Sequence, residues 1–223
     1  DKRREEEFTI EKSSKSIIKF IKEALKQKHK SKSKINIISM GLGGSIALEI
    51  LNKSPDLIDN LIISSPECHQ ESDTDNDPLE RLAKTKAEYL NTKPDQFIVK
   101  AYLRYFGISK EFYNDMEEIL DFSIKKEREI AFESLNYPID HLKKNEMIKN
   151  KNNILIAYGT KENLNSRKSA IELKTVFKNA KLIEINKGTE LWNINKPKLF
   201  NSITKEFINK GKVSEDKDIR IIK

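Results

Sequence analysis

Apolar residues recur at helical steps through Ile10, Ile17, Ile18, Ile21 and Leu25, with Lys and Glu between them. That spacing predicts a one-faced amphipathic helix over residues 9–28. The run from Lys28 to Lys34 alternates Lys with His and Ser and reads as an exposed loop. Ile35 to Ile38 is then a short, largely β-branched apolar run, which predicts a strand buried on both faces. Gly41, Gly43 and Gly44 make a sharp turn, and an apolar helix is expected over 45–52. Pro55 ends that region, and Leu61, Ile62 and Ile63 centre a second buried strand over 57–64. Helix, strand, helix and strand in that order imply a parallel pair joined by a crossover.

Residues 67–78 are polar and acidic, and from 79 to 149 the pattern is helical throughout, broken at Pro94, Gly107 and Pro138. Strand patterning returns at 154–158, followed by a turn over 159–163, a helix over 169–178 and a strand over 182–185. A closing helix is expected over 197–209. The tail after Gly211 is charged and reads as frayed, although Ile219, Ile221 and Ile222 are apolar enough to dock. The expected fold class is thus α/β, with a sheet of about four parallel strands interrupted by a helical insertion. The organisation this predicts is 1–66 and 151–210 as two halves of one core, 67–150 as the insertion and 211–223 as a charged tail.

Composition changes this picture little. The apolar share of 37% is low for a globular chain and the charged share of 35% is high. Lys and Arg number 42 against 35 Asp and Glu, a net charge of +7. That balance favours acidic partners, RNA among them, through weak non-specific attraction. One cysteine, Cys68, excludes a disulfide framework and a thiolate metal cluster. No apolar run approaches the ~20 residues of a membrane span, and the amino end lacks the apolar stretch of a secretion signal. The expectation is an intracellular protein of the cytosol or of an organelle such as the mitochondrion.

The turn Ser39-Met40-Gly41-Leu42-Gly43-Gly44-Ser45-Ile46 fits two known uses of a strand, a glycine turn and a helix. One lifts a nucleophile on a strained turn, in the pattern Gly-x-Ser-x-Gly. The other brings backbone close to a dinucleotide pyrophosphate, in the pattern Gly-x-Gly-x-x-Gly. Gly41 and Gly43 match the second pattern but Ile46 stands at its third glycine, and Glu67 is near where a ribose-binding acid belongs. The neighbourhood favours the first use. Ser54-Pro55-Asp56 leading into Leu61-Ile62-Ile63-Ser64-Ser65-Pro66 closely resembles the stretch after the nucleophile elbow in the α/β-hydrolase superfamily. Ile154-Leu155-Ile156-Ala157-Tyr158-Gly159-Thr160-Lys161-Glu162 resembles the strand and turn that carry that superfamily's triad acid. Lys187-Gly188-Thr189-Glu190-Leu191-Trp192 resembles the loop that carries its histidine, with Pro197, Leu199 and Phe200 resembling the closing helix. The insertion falls where the superfamily places a cap.

Carried over residue by residue, the triad positions are Gly41 for the nucleophile, Glu162 for the acid and Glu190 for the histidine. Glycine offers no nucleophile, and a carboxylate at Glu190 has no hydroxyl proton to take. The resemblance therefore implies a catalytically dead member with no working catalytic residue. Leu42 is left as the residual oxyanion donor, because the loop that supplies the second donor falls outside this chain. Ser39 and Ser45 flank the turn as weak candidates for a relocated nucleophile. Cys68 and His69 are adjacent on extended chain and so point apart, a poor dyad. His29 and His141 sit in Lys-rich contexts, and nothing suggests a metal or a cofactor. Aromatic and basic residues interleave at Lys100, Tyr102, Arg104, Tyr105 and Phe106, a mixture that suits a cap core better than a nucleic-acid groove. Trp192 reads as a core contact.

The function expected is that of a pseudoenzyme serving as a structural or protein-interaction subunit, in a larger assembly of ribonucleoprotein or organellar type. A live ester or thioester hydrolase and a nucleotide-binding module are the alternatives. The strand from Ile35 to Ile38 is expected to be a sheet edge, closed by another protein chain, by residues upstream of Asp1, or by the helix over 9–28.

Overall fold

The computed structural model describes residues 9–66, 68, 100, 103–104, 108–114 and 152–222. The expected cap over 67–150 therefore lies almost wholly outside the described residues. Of it, Leu103 and Ile108 are buried while Lys100 and Arg104 are exposed.

Helix α1 (Ile10–Gln27) starts where the Thr9 hydroxyl accepts the N–H of Lys12 at 3.1 Å. Its inward face is Ile10 and Ser14, with Ile18, Ile21 and Leu25 half-buried. The helix packs on α2 (Leu42–Lys53), and Lys53 of α2 joins the two through Glu11 at 3.2 Å while also pairing with Glu49 of its own helix at 2.9 Å. Before α2 comes β1 (Ile35–Met40), and after it a 3-10 turn (Pro55–Leu57) and β2 (Ile58–Ser64). Beyond the insertion follow β3 (Asn153–Gly159), α3 (Leu164–Val176), β4 (Lys181–Ile185), α4 (Trp192–Asn195), α5 (Pro197–Lys210) and β5 (Ile219–Ile222).

The five strands lie side by side in chain order. The first four are parallel and β5 runs antiparallel against β4. Register sets Ile38 beside Ile62, and Ile62 beside Leu155. Strand alternation then sends Leu61, Ile63, Ile154 and Ile156 into one core beneath α2 and α3. Ile62, Leu155, Ala157, Ile183 and Ile185 enter a second core beneath α4 and α5, with Trp192, Ile203 and Phe207. The result is an α/β sheet with a helical layer on each face. Among the described residues no helix is long and apolar enough to cross a membrane.

Several expected boundaries are corrected. The tail does not fray over 219–222: Ile219 to Ile222 form β5, giving five strands rather than four among the described residues. Helix α2 begins at Leu42, not at 45, because the glycines lie inside its first turn. Helix α3 begins at Leu164, not at 169, where the Asn163 side chain accepts the N–H of Ser166 at 2.7 Å. Strand β1 is not buried on both faces. It is a sheet edge, and Ile38 is 46% exposed because α5 covers β2 to β4 and stops short of it. Along that edge a groove of about 450 Å³ is lined by Ile17 and Ile21 of α1, by β1, and by Ile46 and Ile50 of α2.

Candidate functional site

The carboxyl ends of the four parallel strands bring together the positions that the resemblance picks out. Gly41 follows β1 with φ +49° and ψ −126°, a conformation that side-chain-bearing residues rarely adopt. The turn is pinned on both sides: the N–H of Gly41 donates to the carbonyl of Ser64 at 3.1 Å, and its carbonyl accepts the N–H of Gly44 at 2.8 Å. Glycine at 44 lets α2 press onto β2, since a Cβ there would lie 3.1 Å from Ile63 Cγ2. Leu42 opens α2, so its N–H belongs to the free donors of the first turn.

The loop after β4 returns to this turn. Glu190 Oε1 lies 3.5 Å from where a Cβ on Gly41 would stand. The acid-bearing turn after β3 is locked to the same loop by close backbone contact. A Cβ on Gly159 would meet the Gly188 carbonyl oxygen at 2.2 Å, so only glycine fits. Lys161 N–H donates to the Gly188 carbonyl at 2.9 Å, and Lys187 N–H to Thr160 Oγ1 at 2.8 Å.

Glu162 is buried, and its Oε1 accepts the Gly159 N–H at 2.7 Å and the Ser65 hydroxyl at 2.9 Å. Ser65 is completely buried at the end of β2, holds a positive φ of 52°, and lies 3.4 Å from the Glu190 carbonyl oxygen. Next to it Ser64 accepts the Trp192 indole N–H at 2.7 Å. Trp192 is itself buried and meets Phe200 edge-on at 4.9 Å between ring centres, the core contact expected of it. Away from the cluster, Tyr158 donates to Glu184 at 3.0 Å, and burial with that bond pushes its phenol up to about 12.

The turns that hold Gly41, Leu42, Glu162 and Glu190, the positions that the resemblance picks out, thus meet at one end of the sheet. Ser65 is the residue sequence reasoning missed. The signal was Ser64-Ser65-Pro66 at the end of a buried strand, one strand over from the glycine turn.

The other candidates lie elsewhere. Ser39 is buried and donates to the Ile62 carbonyl at 3.0 Å, and Ser45 is buried inside α2. Cys68 is buried, its N–H donating to Ser169 Oγ at 2.9 Å, while His69, its expected neighbour, lies outside the described residues. His29 is exposed in the loop after α1 with φ 54°. His141, Glu67, Tyr102, Tyr105 and Phe106 lie outside the described residues as well. Among the described residues no three His, Cys, Asp or Glu are grouped as a metal site would need.

No family model matches this sequence, and no curated protein matches it. Solved structures do match, with low identity and high coverage. A meta-cleavage product hydrolase from Pseudomonas fluorescens IP01 is similar at a TM-score of 0.69 and 16% identity, covering 95% of this chain and 76% of that one. The 2-hydroxy-6-oxo-6-phenylhexa-2,4-dienoate hydrolase of Rhodococcus sp. strain RHA1 gives 0.66 and 15%, over 92% and 74%. Est816, an N-acyl homoserine lactone degrading enzyme, gives 0.59 and 17%, over 93% and 77%. Together with the strand order and the position of the glycine turn, these likenesses show that the chain has the α/β-hydrolase fold.

Proposed function

We propose that this chain is a pseudoenzyme, an α/β-hydrolase fold kept as a structural or protein-interaction subunit of a larger intracellular assembly. One observation carries the reading. At the strained turn a nucleophile would occupy stands Gly41, and the group facing it is the Glu190 carboxylate, 3.5 Å from where a Cβ would lie. Acyl transfer needs an oxygen or sulfur nucleophile and a base able to take its proton. A carboxylate is a poor base for a serine hydroxyl. Gly41→Ser should therefore give no turnover of a p-nitrophenyl ester that titrates with an active-site probe. Stoichiometric, probe-titratable turnover by that single variant contradicts the proposal.

A second reading has one observation in its favour. Ser65 combines a positive φ with a hydroxyl 2.9 Å from the buried Glu162 carboxylate, so it is the serine best placed for a relocated nucleophile. Its complete burial counts against it. Mass spectrometry of probe-treated protein separates the readings, since a relocated nucleophile carries the adduct on Ser65.

The β1 edge supports the interaction role. Its outer backbone groups lack a strand neighbour among the described residues, and Ile17, Phe20 and Ile38 stand exposed around it. In this proposal the edge takes up a further strand from another chain. The chain as given should associate in sedimentation, and Ile17→Glu with Ile38→Glu should shift it toward monomer. A compact, thermally stable wild-type monomer contradicts this part of the proposal.

A further inference from the structure

We infer that the strand taken up at the β1 edge is β5 of a second copy of this chain, an occupant that rests on the reading of β1 as an edge open to another chain. Copies then join head to tail through the two ends of the sheet. The hydrogen-bond pattern shows which backbone groups each end offers. Gly41 N–H bonds across to the Ser64 carbonyl on β2 at 3.1 Å, and bonding sides alternate along a strand. Ser39 and Ile37 therefore face β2 as well, while Asn36, Ile38 and Met40 turn N–H and C=O outward. At the other end, the Asp218 carbonyl accepts the Asn186 N–H at 2.9 Å, so Arg220 and Ile222 face β4 in turn. Ile219 and Ile221 face outward, where β5 has no strand neighbour among the described residues. The Ile219 N–H already donates to the Asp216 carbonyl at 3.0 Å. What these two residues still offer is the Ile219 carbonyl and both groups of Ile221.

Those groups match the β1 edge in parallel alignment, with Ile38 beside Arg220 of the second copy. Ile38 N–H then donates to the Ile219 carbonyl, Ile221 N–H to the Ile38 carbonyl, and Met40 N–H to the Ile221 carbonyl. Parallel alignment also turns the copy over. Ile219 and Ile221 lie on the α5 side of their own sheet, and in the joined sheet they point to the α1 side of the first chain. There they meet the apolar groove of about 450 Å³ lined by Ile17, Ile21, Ile35 and Ile37. Ile221, 39% exposed in the single chain, enters that groove. On the opposite face the exposed Ile38 is covered by the aliphatic stem of Arg220, whose charge stays in water. Antiparallel alignment would instead send Arg220 into the groove.

Charge selects the same alignment. The loop before β1 holds Lys28, Lys30, Lys32 and Lys34 and no acid, while Glu215-Asp216-Lys217-Asp218 before β5 nets −2. Parallel strands start at the same end, so the acidic turn of one copy lies beside the lysine loop of the other. A second β1 cannot take the place of β5. Helix α2 packs over β1 and β2, α1 packs on α2, and packed helices stand about 8–10 Å apart. That sets α1 outside β1, above the place of a next strand about 4.8 Å away. Two β1 strands paired edge to edge would put both α1 helices in the same space. Strand β5 carries no such overhang, since Arg220 and Ile221 are exposed on its two faces.

The test is sedimentation of the full chain over a concentration series. Head-to-tail contacts of this kind do not close, so the weight-average mass should climb past twice the 25.9 kDa of one chain without levelling. Proline at an outward N–H blocks an edge and removes no hydrogen bond within the sheet. Ile38→Pro and Ile221→Pro should each stay at the mass of one chain. Mixed in equal amounts they should form a heterodimer and stop at twice that mass, because each supplies the edge the other lacks. Ile38→Lys, set against Arg220 of the second copy, and Ile221→Lys, set in the apolar groove, repeat the design if circular dichroism shows a proline variant unfolded. Three results overturn the inference. Folded Ile221 variants that associate like wild type, beside monomeric Ile38 variants, mean that β1 takes a different strand, and the edge reading alone survives. Mixed variants that remain at the mass of one chain rule out β5 as the complement of β1. A wild-type mass that levels at two chains rules out head-to-tail joining, and one that never rises contradicts the edge reading as well.

Discussion

Removing the Ser65 hydroxyl tests whether the buried acid is now held by structure. In the wild type Glu162 Oε1 accepts the Gly159 N–H at 2.7 Å and the Ser65 hydroxyl at 2.9 Å. Ser65→Ala deletes one of them inside a site closed to water. A hydrogen bond to a charged group is worth about 1.5–3 kcal/mol, a sizeable part of a domain's usual ~5–15 kcal/mol. Ser65 also holds a φ of 52°, and a left-handed conformation costs a side-chain-bearing residue about 1–2 kcal/mol. Alanine keeps that strain. Ser65→Gly loses the same hydrogen bond but relieves the strain, against a backbone-entropy cost of about 0.5–1 kcal/mol. Glycine should therefore be the milder variant by about 0.5–1 kcal/mol. Urea unfolding followed by circular dichroism reads both. With about 2–4 °C per kcal/mol for a chain of this size, Ser65→Ala should also lower Tm by roughly 3–12 °C. A loss below about 0.5 kcal/mol for Ser65→Ala, or glycine clearly worse than alanine, would refute the reasoning.

Gly159→Ala should cost about 3 kcal/mol or more, because its Cβ would meet the Gly188 carbonyl oxygen at 2.2 Å and the backbone must move; a urea midpoint within error of wild type rules this out. The Tyr158 phenol is raised from 10.0 to about 12, so the fold holds its proton more tightly than the unfolded chain does. Its contribution is complete below pH 10 and fades as pH rises through about 12, and the stability difference between wild type and Tyr158→Phe should shrink over that window. A difference that stays flat, or grows, contradicts the assignment. Trp192→Phe should destabilise by about 1–3 kcal/mol, since the Ser64 hydroxyl loses the indole N–H it accepts at 2.7 Å; calorimetry checks this.

What was legible in the sequence and what was not follow from the strength of local patterning. The runs through Ile62, Leu155 and Ile183 are buried on both faces, so their β-branched character shows without any tertiary context. Strand β5 hid because it is a short strand whose Arg220 faces solvent and whose one strand neighbour among the described residues is β4. The start of α2 hid because Gly43 and Gly44 are poor helix formers, and packing against Ile63 overrides that preference. Gly41, Glu162 and Glu190 were picked out only through the family resemblance of the segments that hold them, since no local pattern marks a glycine or a glutamate as part of a site. Ser65 was not, since a positive φ at a serine and a bond to a residue 97 positions away leave no local mark. The exposure of Ile38 depended on how far α5 reaches, which no pattern within β1 encodes.

The central claim is that no side chain at the end of this sheet acts as a nucleophile. It is met most directly by treating the wild-type chain with a fluorophosphonate probe beside an active serine hydrolase, then mapping any adduct by mass spectrometry. The account predicts a labelled control and no labelling of this chain above its heat-denatured background. Stoichiometric adduct on Ser65, Ser39 or Ser45, lost on denaturation, would contradict it.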